Sequence, residues 1–259
     1  MPLNPESNEV PGKKARLSAT EIKSESALFD GYAILKSKKR EDRGFTVIEI
    51  AVVLVIIGFL LGGVLMGQEL INNARVKSYA IDFRNIPIML YRYQDKFKAL
   101  PGDDAQVLTH LPGATLALTP VGMVGNGEIN GAWDTTNNHD ESCLFWQHVR
   151  MAGLAPGSTT VDCSAGSDYW ARNASGGQIG FQSNTGFVTM TGTMNGRDII
   201  CSKNIPGQFV LQLDANLDDG DPATGSMRAI QQSAVGGPPS SIATVQANTG
   251  DTFIVCMSI

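Results

Sequence analysis

The feature that most constrains this chain is an apolar segment at residues 45–67, FTVIEIAVVLVIIGFLLGGVLMG, in which Glu49 is the only charged residue. At about 1.5 Å per residue, a helix of this length is roughly 35 Å long, which is enough to cross the hydrocarbon core of a bilayer. The run is too long for the apolar core of a secretory signal peptide, and no small-residue cleavage site follows it. We therefore predict that residues 45–67 form a transmembrane helix.

The charges on either side of this segment predict its orientation. Lysines and arginines are frequent in residues 36–43, KSKKREDR, so the positive-inside tendency places that side in the cytoplasm and exports the rest of the chain. Residues 45–259 carry eleven Lys and Arg against eighteen Asp and Glu. Such an acidic part lacks the clustered cations that nucleic-acid binding requires, and no nucleic-acid partner is indicated.

The junction before the apolar segment adds a specific signal. Arg43-Gly44-Phe45 is followed by a carboxylate at Glu49 and then by an aliphatic run. This arrangement resembles the class III signal of type IV prepilins and type II secretion pseudopilins. The resemblance implies that prepilin peptidase cuts between Gly44 and Phe45, that the new amine of Phe45 is methylated, and that Glu49 is the acidic fifth residue of the mature chain.

The resemblance also implies a location and a function. The chain is expected in the bacterial inner membrane, in contact with lipid and with its C-terminal head in the periplasm, before it joins other subunits in a type IV pilus or a type II secretion pseudopilus. An ion pair is much stronger at low dielectric than in water, so Glu49 is expected to pair with the N-terminal amine of a neighbouring subunit. The alternative is a tip or minor pilin whose head is an adhesin or a ligand-binding module.

Beyond Gly67 the sequence becomes amphipathic. Large apolar residues recur at steps of three and four, the spacing of one helical face: Val76, Tyr79, Phe83, Ile86, Leu90, Tyr93 and Phe97. We predict one helix from about Phe45 to Lys98, in which residues 68–98 continue the membrane segment and pack on a globular head. Leu100-Pro101-Gly102 then ends the helix.

Residues 99–259 are predicted to form that head. A second helix is expected between Asp140 and Gly153, and short apolar runs between turn residues are expected to be strands. These runs are Phe187–Met190, Asp198–Cys201, Gln208–Leu213, Met227–Gln231 and Thr252–Met257. An antiparallel sheet packed on the long helix gives an α+β chain with a pilin fold.

Four cysteines lie on the exported side, at Cys143, Cys163, Cys201 and Cys256. An even number at wide spacing in an exported domain favours two disulfides, for which three pairings are possible. We favour Cys143–Cys163 with Cys201–Cys256. Zinc binding by these cysteines with His139 and His148 is disfavoured because the spacings match no common zinc pattern.

One segment of the head is rich in oxygen ligands. It contains Asp214, Asn216, Asp218, Asp219 and Asp221, and calcium prefers such hard oxygen donors. The resemblance adds that some pseudopilins bind calcium in their C-terminal loops. The run does not match the spacing of an EF-hand, and a hairpin loop with solvated carboxylates is the simpler interpretation. Calcium is therefore a possible ligand, and no other cofactor is expected.

No catalytic motif is evident. The sequence lacks GxSxG, HExxH and a phosphate-binding glycine loop, and no acid or nucleophile stands at a recognisable spacing from His110, His139 or His148. We therefore do not expect an enzyme. The leader, residues 1–44, is long for a class III signal, and translation starting near Leu35 is one explanation.

Overall fold

A computed structural model describes residues 44–259 of the chain. The leader before Gly44 and its basic flank lie outside the described residues. The chain divides into two units, residues 1–56 and 57–259.

The described residues form five α-helices, one short 3₁₀ turn and five strands. The helices are α1 (Val47–Phe97), α2 (Val107–His110), α3 (Glu141–Met151), α4 (Gly207–Leu217) and α5 (Ile242–Ala247), and the 3₁₀ turn is Gln232–Ala234. The strands are β1 (Ala171–Arg172), β2 (Gln178–Ser183), β3 (Asp198–Pro206), β4 (Met227–Gln231) and β5 (Thr252–Ser258). The expected α+β fold, a long N-terminal helix followed by a domain with an antiparallel sheet, is confirmed.

The sheet is antiparallel throughout, in the order β1-β2-β3-β5-β4. In the two central strands, β3 and β5, successive side chains point to opposite faces of the sheet, and both faces are buried. Ile200 and Val255 belong to the main core, whereas Ile199 and Ile254 belong to a second cluster on the other face. Because both faces are covered, apolar residues follow one another without alternation at residues 199–201 of β3 and 253–257 of β5.

The predicted stripe of α1 fills the main core. Val76, Tyr79, Phe83, Ile86, Leu90 and Tyr93 are each at most 2% exposed, and Phe97 is half-buried. The side chains from Val76 to Leu90 share one cluster with α3, α4 and the inner face of the sheet, whereas Tyr93 and Phe97 pack with α2. The helix continues through Pro87 and ends where Lys98 takes a left-handed conformation, with φ 57°.

Two predicted strands were wrong. Gln208–Leu213 is part of helix α4, in which Phe209, Val210 and Leu213 are buried at helical spacing. A short apolar run of this kind fits either structure by periodicity alone. Residues 187–190 lie in a loop between β2 and β3, where Met190 covers the outer face of the sheet. Strands β1 and β2 and helix α5 had not been predicted.

Two disulfides stabilise the head. Cys143 in α3 is bonded to Cys163 in the following loop, and Cys201 in β3 is bonded to Cys256, its cross-strand partner in β5. This is the pairing that the sequence analysis favoured.

A buried carboxyl pair joins the turn after α1 to the start of α3. Asp103 accepts hydrogen bonds from the backbone amides of Gly125, Asn126 and Gly127. Glu141, fully buried, accepts a 2.7 Å hydrogen bond from the backbone amide of Asn130. Burial raises the pKa of Glu141 to about 7, and the nearby Asp103 carboxylate adds to the shift. Below about pH 7 Glu141 therefore carries a proton, which removes the repulsion between the two carboxyl groups.

Replacing Glu141 by glutamine should remove a pH dependence of stability. The folded chain keeps the Glu141 proton up to about pH 7, whereas the unfolded chain releases it near pH 4.5. The contribution of Glu141 to the free energy of unfolding is therefore fully present below pH 4.5 and is lost as the pH rises to about 7. The free energy of unfolding of the wild-type chain should fall by on the order of 3 kcal/mol over this pH range. Urea unfolding of the full chain in detergent should show Glu141→Gln stabilised relative to wild type at pH 8 but not at pH 4.5. Equal pH dependence in both proteins would contradict this assignment.

Candidate functional site

The predicted cleavage site lies just before α1 begins. Gly44, Phe45 and Thr46 are outside the helix, and the Phe45 side chain is 83% exposed. A Cβ added at Gly44 would have no neighbour within 4 Å. Packing among the described residues therefore does not require glycine at this position.

Thr46 and Glu49 form a capping box at the start of α1. The Glu49 Oε2 atom accepts hydrogen bonds from the Thr46 backbone amide at 2.7 Å and from the Thr46 hydroxyl at 2.8 Å. The Glu49 backbone amide in turn donates to the Thr46 hydroxyl at 3.3 Å. The exchange satisfies donors that a helix N-terminus otherwise leaves free, and the carboxylate lies at the positive end of the helix dipole.

This geometry fixes the orientation of Glu49. Oε2 is engaged by Thr46, while Oε1 makes no hydrogen bond within residues 44–259. Among the described residues, one oxygen of the carboxylate is thus held by Thr46 and the other has no hydrogen-bond partner. Thr46 was not identified as a functional residue from the sequence, although the pattern Thr-x-x-Glu before an apolar run is the known signal for a capping box.

The first part of α1 is apolar and uncovered. Residues 47–66 include fifteen large apolar side chains, each between 45% and 88% exposed. Of the described helices, α1 is the one that is long and apolar enough to cross a membrane, by length and composition. Such a surface requires lipid or other apolar helices around it.

Three of the five predicted calcium ligands in the oxygen-rich segment, residues 214–221, lie close together. Ligand oxygens of Asp214, Asp218 and Asp219 lie within 4.8 Å of one another, and Asp221 is not in that group. Asp221 instead accepts a hydrogen bond from the Ala223 amide. Asn216 is exposed, and its backbone carbonyl accepts from Arg84 in α1.

Asp214 is the buried member of this cluster, and it is 1% exposed. Its Oδ1 accepts a 2.6 Å hydrogen bond from the Gly220 amide, whereas its Oδ2 is buried with no partner among the described residues. Burial raises the pKa of Asp214 to about 6, and the neighbouring carboxylates add to the shift. The cluster therefore presents hard oxygens, one of them unsatisfied, of the kind that calcium prefers.

Two of the histidines have buried partners that stabilise the turn after α1. His110 Nδ1 lies 2.7 Å from Asp104 Oδ2, which also accepts from the Tyr93 hydroxyl. The sequence analysis had found no acid at a recognisable spacing from His110, because α2 is what folds it back onto Asp104. His148 Nδ1 accepts from the Gly102 amide, so its Nε2 donates to the Thr115 carbonyl.

Comparison with known proteins identifies the N-terminal segment. Residues 39–65 match the family described as "Prokaryotic N-terminal methylation motif". The chain therefore carries the methylation motif that forms the class III signal of type IV prepilins, and the match ends within the apolar half of α1. No curated protein and no solved structure shows significant similarity to the chain.

Replacing Thr46 by valine should loosen the first turn of α1. The change removes the hydroxyl that bonds Glu49 but keeps the size of the side chain, and losing an N-cap costs about 1 kcal/mol. Amide hydrogen exchange in residues 47–50 of the full chain in detergent should become about fivefold faster. Thr46→Ser keeps the hydroxyl and should exchange like wild type. Unchanged exchange in Thr46→Val would show that the capping box does not form.

Proposed function

We propose that this chain is a structural subunit of a type IV pilus or a type II secretion pseudopilus. In this proposal prepilin peptidase removes the leader after Gly44 and methylates the amine of Phe45. The helix then anchors the subunit in the inner membrane, with the head in the periplasm, until the subunit enters a filament. The observation that carries the proposal is the motif at residues 39–65 at the start of an uncovered apolar helix.

Glu49 is proposed to direct assembly. Cleavage creates a positive amine on Phe45, and a filament places the apolar helices of many subunits side by side. In that low-dielectric surrounding an unpaired carboxylate is strongly unfavourable, and an ion pair with a neighbour's amine relieves the cost. The capping box supports this role, because Thr46 orients Glu49 through Oε2 and leaves Oε1 for the incoming amine.

The second half of α1 offers a further assembly surface. Opposite the buried stripe, Ile81, Ile88 and Tyr91 are about half exposed, with exposed fractions of 52%, 48% and 58%. Residues 68–98 carry six Lys and Arg against three Asp and Glu, whereas residues 99–259 carry five against fourteen. We propose that this basic helix face packs against the acidic head of a neighbouring subunit, which is favoured by their opposite charge.

Replacing Glu49 by alanine should separate processing from assembly. In a host with its prepilin peptidase, Glu49→Ala should be cleaved like wild type, because the Gly44–Phe45 junction is intact. Its amount in the isolated filament fraction should fall at least tenfold, since the amine of a neighbour loses its partner. Intact mass of membrane extracts and quantitative immunoblots of filaments measure the two steps.

Two variants control for charge and size. Glu49→Gln keeps the shape of the side chain and should fail in assembly like Glu49→Ala. Glu69→Ala removes an exposed acid farther along the same helix and should assemble normally. Normal incorporation of Glu49→Ala would refute the pairing role.

A second proposed function of the head is calcium binding by Asp214, Asp218 and Asp219. The specific observation is the buried, unpartnered Oδ2 of Asp214 beside two further carboxylates. Gly225 supports the arrangement, because a Cβ there would lie 1.9 Å from Asp218 Oδ2. Bound calcium would neutralise the clustered charge and tie the end of α4 to the start of β4, where Asp218 accepts a hydrogen bond from the Met227 amide.

Calcium should therefore raise the unfolding temperature of the full chain. At one hundred times the dissociation constant the expected stabilisation is about 2.7 kcal/mol. Asp214→Asn should abolish the response without lowering the unfolding temperature measured in chelator, because it removes a buried charge. Asp221→Asn should still respond, since Asp221 lies outside the cluster. No effect of calcium on wild type, or an equal effect on Asp214→Asn, would contradict this site.

A further inference from the structure

A cavity of about 410 Å³ opens between the middle of α1, the second half of α3 and the segment that leads into β1. Its volume falls in the range of small-molecule sites, about 300–1,000 Å³. Ile86, Met89 and Trp170 contribute an apolar lining. Four charged residues also line it: Arg150 is buried and Asp82 is half-buried, whereas Asp168 and Arg172 are exposed.

Arg150 is the first of these groups. It is 8% exposed, and it donates from Nε to the Pro156 carbonyl at 3.1 Å and from Nη1 to the Ser158 carbonyl at 3.0 Å. No carboxylate oxygen lies within 4.0 Å of it in the described part of the chain, where Nη2 makes no hydrogen bond. The guanidinium lies over the rings of Trp146 and Tyr169, which offsets part of the cost of burying its charge. Because a guanidinium stays charged and these rings supply no counter-anion, this side of the cavity favours an anionic group.

Asp82 is the second group, and it comes from α1. Its Oδ2 is buried and makes no hydrogen bond among residues 44–259, where no Lys, Arg or His nitrogen lies within 4.0 Å of the carboxylate. Burial accordingly raises the pKa of Asp82 to about 6. The Asp82 carboxylate therefore favours a cation. The Trp146 Nε1 donor on the same cavity is also buried, has no acceptor among the described residues, and favours an acceptor atom such as a carboxylate oxygen.

Together, Arg150 and Asp82 favour a ligand that carries both a negative and a positive charge. A neutral molecule would leave Arg150 and Asp82 without counter-charges, and a simple anion would satisfy only Arg150. We propose that the cavity binds a free α-amino acid with an apolar side chain. Its carboxylate contacts Arg150, its ammonium contacts Asp82, and its side chain packs on Ile86, Met89 and Trp170. This binding does not depend on the assembly role of Glu49.

Gly157 is part of how the site is built. It has a left-handed φ of 124°, and a Cβ there would lie 2.7 Å from Arg150 Nε. The turn at residues 155–158 can therefore approach the guanidinium closely enough for two of its carbonyls to hold it. This fixes Arg150 at the cavity wall and leaves Nη2 for a ligand.

Calorimetric titration of the full chain in detergent tests the site, with L-leucine as the first probe. N-acetyl-leucine lacks the ammonium and leucine amide lacks the carboxylate, so each should bind at least tenfold more weakly than leucine. That factor corresponds to about 1.4 kcal/mol, the lower end of what a hydrogen bond to a charged group contributes. Absence of leucine binding, or equal binding of the three probes, would overturn the proposal.

A variant pair then locates the contact. Asp82→Asn should weaken leucine binding at least tenfold and leave N-acetyl-leucine binding unchanged within about twofold, because only the ammonium contact is removed. Asp95→Asn removes an exposed acid of α1 outside the cavity and should bind leucine like wild type. Glucose, a neutral probe, should not bind. Glucose binding tighter than leucine, or full leucine affinity in Asp82→Asn, would contradict the assigned chemistry.

Discussion

Side chains at steps of three and four along residues 76–93 of α1 hold the head together. They fill the space between α3, α4 and the inner face of the sheet, so removing this helix would expose most of the main core. The two disulfides reinforce other connections, one within the α3 region and one between the central strands. Since apolar burial is the main favourable contribution to folding, the buried stripe of α1 is central to the stability of the head, and Asp82 on the same helix lines the charged cavity.

In the described part of the chain, the start of α1 is not stabilised by packing on the head. Its apolar side chains are exposed within the chain, and a helix N-terminus has amide donors without partners. Glu49 serves both the helix and the proposed filament, because one carboxylate oxygen completes the capping box and the other can meet a neighbour's amine. A carboxylate in an apolar run is thus explained locally by Thr46 and, in the proposed function, by assembly.

The sequence predicted what depends on local pattern. The apolar run, the buried stripe from Val76 to Tyr93 and the strand Met227–Gln231 follow from periodicity and agree with the structure. The errors of the sequence-based prediction concern segments whose structure depends on tertiary context. Gln208–Leu213 was predicted to be a strand, but it is helical, and its buried residues face the core at steps of one, three and four. The cavity could not be predicted, since Asp82, Trp146 and Trp170 are distant in sequence and meet only after folding.

The central claim is that the chain is processed between Gly44 and Phe45 and then assembles. The most direct test is the intact mass and N-terminal sequence of the protein extracted from membranes of a host with active prepilin peptidase. The account predicts a chain that begins with methylated Phe45. A chain that still carries Arg43-Gly44 at this junction, in the presence of active peptidase, would contradict it.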